Sequence, residues 1–153
     1  MNPMTKLHFR GEWPETAKAE IHGILRVLVD AFAPSWCREI HLWWQVGLND
    51  GALATIQVRL DARDAILCVN PSILTENVRR VLLHEIAHLH TTPVENIARL
   101  ALEAHFGQDA EGINIARVMM DQVLEGATND LADVFETCLK PVTKPHCAVF
   151  DNA

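Results

Sequence analysis

The sequence predicts an α+β fold: an N-terminal helix, a small three-stranded sheet, a helix carrying paired histidines, then two further helices. Three observations carry this. Ala17, Ile21, Leu25, Leu28 and Phe32 recur at spacings of three and four, which marks one buried helix face. Between residues 39 and 69 the apolar period shortens to two, with turn residues between the runs. From Thr75 to residue 139 helical spacing returns, interrupted by Pro93 and by Gly107.

Each element has its own signals. Residues 1–12 read as a lead-in. Pro14 suits the first position of a helix that ends before Pro34. Glu39 to Val46 reads as a strand, and Asn49-Asp50-Gly51 as a turn. Ile56, Val58 and Leu60 share one face of a second strand, and residues 65–69 form a more buried third one, ended by Asn70-Pro71. Trp43 and Trp44 are adjacent and must point to opposite faces. Thr75 is the expected N-cap of a helix to about His90. Thr92-Pro93-Val94-Glu95 reads as a capping box opening the next helix, which stops near Gly107. The last helix covers roughly 111–139. Its stripe of Ile115, Met119, Val123, Ala127, Leu131, Val134 and Cys138 is expected to face the core, the alternative being a dimer contact.

Composition bounds the function classes. At 153 residues, 49% of them hydrophobic and 22% charged, one soluble domain over 1–139 is expected, with an extended tail over 140–153. The net charge of −7 disfavours phosphate backbones, and only Arg79 and Arg80 are adjacent basic residues, so no nucleic-acid partner is expected. No run reaches the roughly 18 apolar residues of a membrane span. The four cysteines include no C-x-x-C pair and read as reduced thiols of a cytoplasmic protein, monomeric or a small oligomer.

The chemistry concentrates at His84-Glu85-Ile86-Ala87-His88, an H-E-x-x-H pattern inside a predicted helix. Histidines at i and i+4 share a helix face, close enough for both imidazoles to hold one Zn2+. Glu85 sits about 100° round from His84 and can serve as general base toward a zinc-activated water.

With its flanks, Val81 to Leu89 resembles the extended signature of the zincin metallopeptidases. The preceding helix and strands are similar to the minimal zincin core, in which an edge strand of the sheet aligns an extended peptide. His90 departs from the pattern, which has an apolar residue there. The resemblance implies a zinc metallopeptidase acting on a peptide or protein, with three protein ligands and an open position. The metzincin pattern wants Gly and His where Thr91 and Val94 stand, and a metal-dependent endoribonuclease pattern wants His at 94. Cys68 lacks the setting of the deformylase cysteine ligand. The gluzincin pattern fits best: it implies Glu125 as third ligand, 37 residues after His88, and Asn129, where the family has an acidic residue, as the brace of a ligand histidine. His105 is the alternative third ligand, as in zincins with three histidines; Glu95, Glu103 and Asp121 stay behind it. There is no Tyr to stabilise an oxyanion, leaving His90, His105, His146 or an arginine. A catalytically silent zinc-binding module of zincin fold is the alternative function. A metal-free helical interaction domain is a further rival.

Overall fold

The computed structural model describes residues 4–107 and 109–140. In chain order the elements are β1 (Lys6–Arg10), α1 (Glu15–Phe32), β2 (Glu39–Trp44), β3 (Ala54–Arg59), β4 (Asp64–Val69), α2 (Val78–Phe106) and α3 (Ala110–Leu139). The fold is α+β, with a four-stranded mixed sheet and three long helices. No helix among the described residues is long and apolar enough to cross a membrane.

The sheet order is β1-β2-β4-β3. β1 and β4 flank β2 in parallel, and β3 pairs antiparallel with β4, which leaves β3 on an edge. Period-two alternation sends Leu7, Phe9, Ile40, Leu42, Leu67 and Ile56 to the helix side. Lys6, His8, Glu39, His41 and Asp64 face the other way. There the His8 and His41 rings stack, and Arg59 grips Asp64 through two hydrogen bonds. The tryptophan pair splits as expected: Trp44 packs inward on Trp13, while Trp43 is exposed.

Three expectations need correction. The lead-in contains a fourth strand, β1, because Leu7 and Phe9 already alternate with polar neighbours. Five residues with three charged or imidazole side chains are too short for a periodicity signal, and the parallel pairing with β2 supplies the stability.

The predicted helices 75–90 and 92–107 are one helix, so three helices replace four. Pro93 lies inside α2, where it removes one backbone hydrogen bond. Packing along the α2–α3 seam on both sides of it offsets that loss, with Thr91 bonded to Thr128 before it and Glu103 to Arg117 after it. The N-cap is Asn77, whose side chain accepts from the Arg80 amide, whereas the Thr75 hydroxyl donates to the Ser72 carbonyl of a preceding 3-10 turn.

The α3 stripe is the third correction: Leu131 packs against the core as expected, but Ile115, Met119, Val123 and Val134 are exposed. Among the described residues α3 buries only Thr128 and Ala132. Ala116, Met120 and Leu124 are half-buried instead, in register with the buried Thr128 that bonds Thr91 of α2. The tail expected over 140–153 lies, from 141 onward, outside the described residues.

The core joins one face of the sheet to α1 and the first half of α2. Ile21, Leu25, Leu28, Ile40, Leu42, Leu67, Leu82, Leu83, Ile86 and Leu89 are fully buried there. Four of these leucines and isoleucines flank the paired histidines in sequence. Burying that face of α2 turns the opposite one, with positions 84 and 88, toward α3 and solvent.

Candidate metal centre

α2 supplies His84 and His88 one turn apart, with their rings edge to face. Their Nε2 atoms are 3.1 Å from each other. α3 brings Glu125 over them: Oε1 lies 3.2 Å from His84 Nε2, and Oε2 lies 3.6 Å from His88 Nε2. All three residues offer a ligand atom within 4.8 Å of the others. A tetrahedral ion with bonds of about 2.0–2.2 Å needs its ligand atoms roughly 3.3–3.5 Å apart. Each imidazole lies near that spacing from the other and from one oxygen of Glu125, so the three residues are a candidate group for one divalent ion. Two imidazoles and one carboxylate match the borderline chemistry of Zn2+ and leave a fourth position free.

The cluster is placed by contacts that the motif does not contain. Thr128 is fully buried; its hydroxyl meets that of Thr91 at 2.7 Å and lies 2.9 Å from the Leu124 carbonyl, pinning α3 to α2 one turn from the histidines. Arg80, one turn before His84, reaches Asp133 at 2.6 Å and Glu136 at 3.1 Å. These were absent from the sequence reading. The i,i+4 step from Arg80 to His84 is a usable signal for Arg80; nothing local pairs Thr91 with Thr128.

Glu85 points elsewhere. It is 7% exposed, and burial pushes its carboxyl up to about 8, opposed by a hydrogen bond from the Ile56 backbone on β3 and reinforced by the charge of Glu125. Burial likewise lowers His88, and His84 adds to that, while Glu125 works against it. A dication in the cluster favours the carboxylates and the neutral imidazoles instead.

Three hollows meet here. One of about 530 Å³ runs between β3 and α2, lined by Ile56, Gln57, Glu85, His88 and Thr92. Another of about 240 Å³ lies between His88 and Glu125, and a third of about 340 Å³ between Leu53, Arg80, His84 and Glu85. The cluster therefore borders an open groove that follows the edge of β3 left unpaired among the described residues.

The remaining sequence candidates are not part of the three-residue cluster. Asn129 is exposed and bonds neither imidazole among the described residues. His105 is exposed in the last turn of α2, against the Phe106 ring. His90 Nε2 lies 2.7 Å from the Phe32 carbonyl, on another side of α2. Glu103 is tied to Arg99 and Arg117, while Glu95 and Asp121 line the hollow beside His88. His146 lies outside the described residues. Comparison with protein-family models, curated proteins and solved structures gives no significant match. The functional reading therefore rests on the site's own chemistry.

Proposed function

We propose that the protein is a zinc-dependent peptidase of gluzincin type. The observation that carries this reading is one arrangement: a His84, His88 and Glu125 donor set beside the free β3 edge, with the Glu85 carboxyl buried in the same groove. His84, His88 and Glu125 would hold the ion. Bound zinc supplies Lewis acidity, which lowers the pKa of a water and polarises a carbonyl.

The chain's own groups do the rest. An extended peptide adds to the edge of β3 through backbone hydrogen bonds, so that its scissile carbonyl lies along the groove. Glu85 takes a proton from the attacking water and passes it to the departing amine. Its low exposure keeps bulk water from competing for that proton.

Glu85→Gln retains stoichiometric zinc and loses hydrolysis by about a hundredfold or more, measured on a peptide library with metal content read in parallel. Undiminished hydrolysis in that variant overturns the role of Glu85. A zinc-binding module without catalysis is the second reading. It is favoured by the absence of Tyr and by the diversion of His90 to Phe32, which leave Arg80 as the cation nearest His84 along α2. Under that reading zinc binds and neither the wild type nor Glu85→Gln cleaves any peptide.

A further inference from the structure

Beyond Leu89 α2 adds nothing to the buried core, and α2 and α3 run on as a two-helix arm, with Thr92, Glu95 and Asn96 still facing β3 across the groove. α1 covers one side of α2 as far as Phe32, whose carbonyl meets His90. Past that point no described residue covers the same side, which continues through Val94, Ile97, Ala101 and Ala104, spaced three, four and three apart. Ile97 is 69% exposed. On α3, Ile115, Met119 and Val123 repeat every four residues, with Met119 63% and Val123 70% exposed.

Both stripes lie on one side of the arm. Each lies two positions, about 200°, from a row lining the metal-centre hollows. Val94 stands so to Thr92, Ile97 to Glu95, Met119 to Asp121, and Val123 to Glu125. The arm thus has a polar side facing the groove and an uncharged apolar side facing away. A two-helix arm buries too little by itself, and this face needs a cover.

The stripes say what that cover is, because they are self-complementary. About a centre at residue 99, antiparallel α2 helices set Val94 against Ala104 and Ile97 against Ala101 of a second copy, a large side chain on a small one each time. About a centre at residue 119, antiparallel α3 helices set Ile115 against Val123 and Met119 against itself. Thr91 meets Thr128 and Glu103 meets Arg117 across the hairpin, so residue 99 lies level with about residue 120. One two-fold axis across the arm therefore serves both stripes to within about one residue, or ~1.5 Å.

We infer that this face docks on the same face of a second copy, closing a four-helix bundle with both metal centres turned outward. The arm runs about 24 Å from Thr91 to Phe106 and is about 20 Å wide, so roughly 500 Å² per copy is covered in projection. The total of about 1,000 Å² is at the lower limit of specific interfaces, which sets a reversible dimer rather than an obligate one. Two chains of charge −7 repel, so added salt strengthens the association.

Sedimentation of the full chain over a concentration series tests this. The expected result is a shift from 17.1 kDa toward twice that mass, favoured by salt. Ile97→Glu with Met119→Glu stays monomeric, with unchanged zinc content and circular dichroism as evidence that it folds. Met119→Cys in a Cys138→Ser background cross-links under mild oxidation, because residue 119 sits on the axis. A chain that remains monomeric at several hundred micromolar overturns the inference and gives the face to a different partner. So does a dimer that survives the double glutamate change, one that salt dissociates, or one in which Met119→Cys does not cross-link.

Discussion

Glu125 is the residue on which the candidate metal centre turns, since it alone comes from a second helix. Its carboxylate contacts both imidazoles yet is half exposed, so removing it disturbs little packing. Glu125→Ala is expected to abolish stoichiometric zinc at neutral pH while leaving the fold intact. His105→Ala, at the far end of the arm, is expected to keep one zinc per chain. Elemental analysis of both variants checks this, and zinc loss confined to His105→Ala contradicts the centre. A pH prediction belongs to Cys37, buried in the core. Burial, with Asp64 nearby, pushes its thiol up to about 11 from 9.0. Between those values the folded chain keeps a proton that the unfolded chain has released. Stability attributable to Cys37 is therefore whole below pH 9 and falls by about 2–3 kcal/mol as pH rises through 11. No Tyr titrates in that window. Urea midpoints at pH 8 and pH 10.5 should fall less steeply in Cys37→Ala than in the wild type; equal slopes would acquit the thiol. At this scale the motif was legible because helical spacing alone brings His84 and His88 together. Asn129 was not, because an offset along α3 fixes a helix face and not a hydrogen bond.

The elements show where local signals end. α1, β3 and β4 were readable from apolar period and turn residues, which act within a few positions. β1 was not, since its stability comes from pairing with β2 more than 30 residues away. Pro93 misled for the same reason. Thr92-Pro93-Val94-Glu95 satisfies every local rule for a helix start, but the seam with α3 holds α2 continuous through it. The proline then sits where it removes a bond to the Leu89 carbonyl. A proline in a helix interior costs about 3 kcal/mol relative to alanine in an isolated helix. Pro93→Ala is expected to recover part of that, about 1–2 kcal/mol, seen as a higher denaturant midpoint with an unchanged slope. A lower midpoint would mean that the ring, or a bend it imposes, fills a place in the packing of the arm. The α3 stripe was legible as apolar and misread as core, because sequence periodicity reports which residues avoid water and not which surface covers them.

Across the whole molecule, stability and the metal centre are unevenly distributed. Apart from Ala132, the buried core cluster lies in the sheet, α1, the chain between them, and α2 up to Leu89. α3 is held by its seam with α2, by the Arg80 ion pairs, by the cluster at Glu125, and at its C-terminal end by Leu131, Phe135 and Leu139 against the core, with Phe135 stacked on Phe32 of α1. The metal-free chain is therefore expected to keep a folded body, unlike small domains that unfold without zinc. Its α3 amides should exchange faster than those of β2 and β4, because undocking α3 exposes much less apolar surface than opening the sheet. Zinc at a hundred times its dissociation constant adds about 2.7 kcal/mol to any opening that breaks the site. Undocking α3 separates Glu125 from the histidines, so α3 amides should slow by roughly a hundredfold. Local fraying of β1 at the far edge leaves the site whole, and its amides should not change. Hydrogen exchange with and without zinc reads both regions in one experiment. If zinc binds stoichiometrically and α3 gains nothing, Glu125 is not a ligand, and the ion is held by α2 alone. If β1 slows as much as α3, the body and α3 open together, and the metal staples the entire fold rather than one helix to it.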